Sequence, residues 1–419
     1  MKKILLYLLT FLIIYTPTFF SNNIVNYMLP FIYFIFTFFL TYNIPKKGKF
    51  SNVFRRVIFF LFLGAIYFFI RTLIAGTDLT DFFHLRIIQS LQFIVLLISM
   101  YNISIYLSAI GYNDEQKIEF LLKVCMIQFL FVAIMILFPN VRTNLLNHFY
   151  QNGKGNIFTI SKRVYGIMSN YTFAGAIFHG VMAVIAYVYG LTKNNKYLLY
   201  IPELLIIVLL NGRTGLFICG IGIFISTIIL VDKKSFFKIF KYFIIVIIAS
   251  MLLFQLLKII FPSTHIFIRN GFNDVVNILF NGEKTGNIQI LSENFKDDIN
   301  FKSLLIGNGY RIQNREDIPN NIEFNLSYSD MGYLNDMYMG GLPYMVMLYL
   351  PLIILIFTYN KNNKKEFALS MFLFFVLIFC NLKGEIFRSS MLVSEIIFIK
   401  SLIQESKEKE MKKIWKKFQ

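Results

Sequence analysis

The sequence predicts an all-α, polytopic integral membrane protein with about twelve transmembrane helices and a large extracytoplasmic loop before the tenth. Hydrophobic residues make up 57% of its 419 positions and charged residues only 15%, against roughly 25% charged in an ordinary soluble domain. Apolar runs of about 20 residues recur, each long enough to cross the hydrocarbon core as a helix. These runs lack the two-residue alternation of barrel strands, and lipid admits no third way of satisfying the backbone.

The first run, 4–20, follows Lys2 and Lys3 in the manner of a signal peptide. Phe19, Phe20, Ser21 and Asn22 offer no small-x-small cleavage site, so the run reads as an uncleaved first helix. Further helices are expected at 24–42, 57–75, 87–107, 120–138, 170–192, 197–211, 214–231, 242–261, 332–359, 367–382 and 386–403. The whole chain, 1–419, reads as a single membrane domain. An even number of crossings puts both termini on one side, and 25 of the 41 Lys and Arg fall on that side. Ten of the remaining 16 sit in two long loops, so the short connectors are strongly biased and the terminal side is expected to be cytoplasmic. The net charge of +18 is then mainly an orientation signal. The Lys-rich tail KEKEMKKIWKKFQ suits anionic lipid headgroups rather than nucleic acid.

The outer face receives the loops 139–169 and 262–331. The second is too long for a plain connector and is expected to carry helical structure of its own. It holds nine acidic and six basic residues and much Asn, a surface suited to hydroxyl-rich ligands, though any loop outside the membrane must also be solvated. Cys125, Cys219 and Cys380 are isolated in apolar runs, which argues against a disulfide framework or a metal knuckle.

Several residues have the chemistry for a site. Arg213 lies in Asn211-Gly212-Arg213-Thr214-Gly215, a glycine-flanked turn at the outer boundary where a guanidinium fork could meet phosphate oxygens. The alternative is a snorkelling headgroup anchor. Arg163 precedes Tyr165-Gly166-Ile167-Met168-Ser169-Asn170-Tyr171 and then the small residues Ala174, Gly175, Ala176 and Gly180, which favour close helix packing beneath it. Otherwise it is an ordinary loop cation beside Lys162. Asp330 and Asp336 flank the start of the 332–359 helix. Asp330 doubles as an N-cap candidate, whereas Asp336 falls within an apolar stretch where an unpaired acid is costly. Lys383, Glu385 and Arg388 cluster in a short outer turn, either as a local ion-pair group or as a second cationic edge. His265 and His148 lie in outer loops and could act as bases, and none of the four histidines has zinc-ligand spacing. The GEKTG stretch at 282–286 lacks the rest of a phosphate loop.

The RVYGIMSNYTFAG segment, the NGRTGLF turn, the LLIGNGY element at 304–310 and SDMGYLNDMYMGG leading into a long helix resemble, in order and in common side, the Wzy-type O-antigen and capsular polysaccharide polymerases and the related O-antigen ligases. The resemblance implies a glycosyltransferase that joins oligosaccharide units carried on undecaprenyl pyrophosphate. An acceptor hydroxyl would attack the donor's anomeric carbon, the lipid pyrophosphate would leave, and the configuration would invert. Arg163 and Arg213 match the family's outer-loop arginines and, with Arg388, would neutralise the pyrophosphate. The ligases have a histidine where this chain has Asp330, so the base stays open between Asp330, Asp336 and His265. The implied partners are the lipid-linked donor and acceptor glycans, membrane lipids and a chain-length regulator protein. No cofactor is implied, and no DxD-type cluster for a metal occurs in the outer loops. A ligase uses the same donor. A lipid-linked oligosaccharide flippase is expected to have short outer loops and an ionisable central cavity, and a small-solute transporter to have internal repeats and broken helices.

Overall fold

The computed structural model describes residues 2–19, 23–44, 49–74, 82–149, 163–168, 174–230, 236–282, 301–309, 332–358, 363–382 and 391–402. Every regular element among the described residues is helical. In chain order these are α1 (Lys2–Tyr15), α2 (Asn23–Thr41), α3 (Lys49–Ile74), α4 (Phe82–Ala109), α5 (Asp114–Leu137) and α6 (Pro139–Phe149). Then come α7 (Ala174–Thr192), a 3-10 turn (Asn195–Tyr200), α8 (Ile201–Asn211), α9 (Arg213–Leu230) and α10 (Phe236–Ile260). They are followed by α11 (Pro262–Val276), α12 (Phe301–Ile306), α13 (Gly332–Phe357), α14 (Lys364–Cys380) and α15 at 391–402.

A helix occupies each of the twelve stretches expected from the apolar runs, with ends shifted by a few residues. The first stops at Tyr15, five residues early. Six helices among the described residues are both long and apolar enough to cross a membrane: Ser51–Ile74, Ile88–Ala109, Asp114–Leu137, Ala174–Thr192, Arg213–Leu230 and Gly332–Phe357. Across the helices large apolar side chains stay uncovered, among them Phe39 of α2, Leu137 of α5 and Ile259 of α10, each at least 70% exposed. A water-facing surface of that kind would drive association, whereas in lipid it is the expected boundary.

At the core lies α7, buried at every residue from Ala174 to Gly190. The small residues foreseen in this helix do admit a close neighbour. A Cβ on Gly215 of α9 would stand 2.5 Å from the Ala176 carbonyl carbon, and one on Gly180 2.6 Å from the Gly215 carbonyl oxygen. Two backbones therefore touch where any side chain would hold them apart.

The turns sort to two ends. At one, Asn113 caps α5 reciprocally with Gln116. There Glu115 pairs with Lys193 at 3.4 Å, and Glu119 pairs with Lys123 and Lys196 at 2.7 and 2.6 Å. Lys365 at the start of α14 sits over the Tyr189 ring there, 4.4 Å from its centroid. These are the lysines that the topology reading assigns to the terminal side. At the other end His148 of α6 meets the Phe19 carbonyl at 3.0 Å, and segment 163–168 meets the end of α8.

One helix departs from expectation. Rather than running unbroken, α13 breaks at Gly341, where φ is 65° and ψ is −167°. Pro343, two residues on, has no amide to bridge the gap.

Candidate functional site

The break in α13 frees the carbonyls of Tyr338 and Met339, and the LLIGNGY element fills the vacancy. The Asn308 amide donates to Tyr338 O and the Gly309 amide to Met339 O, both at 2.8 Å. The carbonyls of the same loop turn the other way, to α3. Tyr67 donates to Ile306 O at 3.0 Å, Arg71 Nη2 to Gly307 O at 2.7 Å, and Thr72 to Gly309 O at 2.5 Å. Residues 306–309 thus bridge the C-terminal end of α3 to the broken helix through their backbone groups alone. Where such irregular backbone is shielded from water, it is tolerated only when its polar groups are met by protein. Glycine is required on both sides of the contact. A Cβ on Gly307 would stand 2.5 Å from Gly340 Cα, and one on Gly341 2.6 Å from Gly307 N. Both residues also have positive φ.

One turn earlier, Asp336 is buried at 1% exposure. Tyr349, beyond the break, donates its hydroxyl to Asp336 Oδ2 at 2.5 Å. The Asn381 amide at the end of α14 donates to the Tyr349 hydroxyl and reaches Asp336 Oδ2 at 3.5 Å. The Tyr333 ring lies 5.1 Å from that of Tyr349, and its amide donates to Asn381 O at 3.3 Å. The break is what allows a residue of the second half of α13 to turn back onto Asp336.

The arginines assemble beside this end. Segment 163–168 is pinned by one side chain of α5: Gln128 Nε2 donates to Tyr165 O at 2.6 Å and Gln128 Oε1 accepts from Ile167 N at 3.3 Å. Val164 N reaches Leu210 O at 3.4 Å, which sets the Arg163 segment against the Asn211-Gly212-Arg213 turn. Arg163 Nη1 donates to the Tyr165 hydroxyl at 3.1 Å, and Arg142 Nη2 to Arg163 O at 2.7 Å. Burial pushes the Arg142 guanidinium down from its ordinary value, yet an arginine stays charged at physiological pH. Arg213 opens α9, half-buried. One turn on, its helix meets α14 through Phe217 and Phe379, with ring centroids 5.9 Å apart. Phe379 is two residues from Asn381, so α14 meets α9 and the Asp336 cluster within its last turn, on different faces.

His265 lies on α11, one turn before Ile268. Its ring packs 4.4 Å from Phe254 at 8% exposure, where α11 covers α10. Ile268 of the same helix is buried with Val164 and Leu210, so the start of the long loop covers the arginine corner while its residues 306–309 dock on the broken helix. Asp330, Lys383, Glu385, Arg388 and most of the GEKTG stretch lie outside the described residues, as do 150–162, 283–300 and 310–331 of the two long loops. Among the described residues no group of three or more His, Cys, Asp or Glu side chains is placed to hold a metal ion.

Gln128, Arg142, Arg71, Tyr349 and Asn381 did not stand out in the sequence. Gln128 is a single polar residue in an apolar run, and that isolation was its available signal, whereas Arg142 lies in a polar helix and carried none.

The fold and these features define the class: an all-helical protein with several helices of membrane-spanning length and a cationic, acid-bearing cluster at one end. Beyond that class, the chain matches no family model, no curated protein and no solved structure.

Proposed function

We propose that this protein polymerises oligosaccharide units carried on undecaprenyl pyrophosphate, at the outer face of the bacterial cytoplasmic membrane, into O-antigen or capsular polysaccharide. The observation that carries the reading is a buried acid, Asp336, held by Tyr349 and Asn381, in a protein whose Arg163 segment abuts the turn that bears Arg213. Inverting glycosyl transfer needs a base at the attacking hydroxyl and positive charge at the departing pyrophosphate. Asp336 accepts the hydroxyl proton as the new glycosidic bond forms. Arg213 and Arg163 meet the charge on the leaving lipid pyrophosphate. Tyr349 and Asn381 hold the carboxylate in place. Arg388 and Asp330 remain proposed members of the same site. The exposed apolar flanks of the bundle accommodate the prenyl chain. Both termini are cytoplasmic, and a chain-length regulator is the expected protein partner.

A second reading is favoured by the break in α13, because discontinuous helices are common where transporters bind substrate. It would make the protein a flippase for the same lipid-linked oligosaccharide. A deletion strain distinguishes the possibilities. Single repeat units accumulating on the carrier in the outer leaflet support polymerisation. Units retained in the inner leaflet support flipping, and free polymer unattached to lipid A core supports ligation.

A further inference from the structure

A second polar cluster lies deep in the bundle, and the proposed transfer chemistry does not use it. Glu395 of α15 is 1% exposed, and neither of its carboxylate oxygens has a hydrogen-bond partner among the described residues. Three titratable side chains lie within range of its charge: Tyr15 of α1, Cys125 of α5 and Cys380 of α14. None is a cation. His179 of α7 is reached only through Tyr15, whose hydroxyl lies 2.9 Å from His179 Nε2. The other ring nitrogen, Nδ1, lies 2.7 Å from the Gly175 carbonyl, which can only accept. Nδ1 therefore carries the imidazole hydrogen, Nε2 accepts, and the single proton of Tyr15 is committed to His179. Cys125 and Cys380 offer only weak S–H donors. Lys400, the cation on the same helix, is five residues on, about 140° around the helix. Its ammonium donates instead to Ile356 O at 2.7 Å and Ser370 Oγ at 3.0 Å.

With no donor or counter-charge among the described residues, an ionised carboxylate is costly in such surroundings, whereas the neutral acid costs far less. We propose that Glu395 is a proton-binding site deep in the bundle, occupied in the resting protein. Its ligand is a proton rather than a metal cation, since one carboxyl beside two thiols and a tyrosine hydroxyl already committed to His179 falls short of the several oxygens that a sodium or calcium ion requires.

The test is infrared spectroscopy of the full-length protein in lipid nanodiscs at neutral pH. A protonated-carboxyl carbonyl band is expected that disappears in Glu395→Gln and persists in Asp336→Asn. Exchange of choline for sodium should leave it unchanged. Absence of a Glu395-dependent band, or its loss on adding sodium, would overturn the proposal, the latter by making the site a cation site. Glu395→Met serves as a second variant, because a site for a neutral acid tolerates an apolar side chain of similar length. Failure of both variants to fold would also overturn the proposal, since it would make the carboxylate an ionised structural anchor.

Discussion

Replacing Gly307 by alanine should detach the long loop from the broken helix, and the cost can be worked out from the contacts. At φ 71° an L-residue is strained by about 1–2 kcal/mol. The added methyl would also stand 2.5 Å from both Gly340 Cα and Gly341 N, which are backbone atoms that cannot swing aside. The loop must then lift away. Lifting removes the two amide bonds to Tyr338 O and Met339 O, and the bonds from Arg71 and Thr72 to the loop carbonyls. At about 1 kcal/mol net for each of four bonds, plus the strain, the total is about 5–6 kcal/mol. Gly282 is a built-in control, because it has nearly the same φ, 67°, and nothing within 4 Å of its would-be Cβ. Gly282→Ala should cost only the strain, about 1–2 kcal/mol. Thermal unfolding in detergent and polysaccharide chain length in a complemented deletion strain would be measured side by side. Gly307→Ala should lower the melting temperature severalfold more than Gly282→Ala and abolish polymer. Equal shifts for the two variants would refute the docking of the loop into the α13 break.

Gln128→Leu should lower stability by about 2–4 kcal/mol, because the buried Tyr165 carbonyl and Ile167 amide lose their partner together; an unchanged melting temperature would mean that segment 163–168 is held by something else. In intact cells a reagent that cannot cross the cytoplasmic membrane should label Arg269→Cys in α11 and spare Lys196→Cys in the turn after α7, and the reverse pattern would invert the topology. Arg213→Lys should reduce polymerisation roughly tenfold or more, since a point charge replaces a bidentate fork, and Arg213→Ala should abolish it at normal membrane abundance. Asp336→Asn should abolish polymerisation in a folded protein while Tyr349→Phe only weakens it; full activity in the Asn variant would return the base assignment to Asp330 or His265.

How far the sequence reaches differs from element to element. The helices were legible because the requirement that lipid imposes is local: each span must be apolar over its own length and must satisfy its own backbone. Ala174, Gly175, Ala176 and Gly180 announced a closely packed helix, since the absence of side-chain bulk is itself a local property. The basic connectors also anticipated which turns share an end, as the meeting of Lys193 and Lys196 with Glu115 and Glu119 illustrates. The interruption of α13 was written as Gly340-Gly341-Leu342-Pro343, but hydropathy does not change across it, and an apolar run reads as one helix whether or not it is broken. What the break accomplishes was not local at all. The partners of Tyr338 and Met339 are Asn308 and Gly309, about thirty residues earlier. The group that aligns Asp336 is Tyr349, brought back only because the helix bends. Gln128 and Glu395 show the same limit from two sides. Both are lone polar residues in apolar runs, and one holds a buried segment with both ends of its amide while the other meets no partner among the described residues. Composition and periodicity record what a residue demands of its surroundings. Whether that demand is met depends on residues distant in the chain, and so only the tertiary structure decides it.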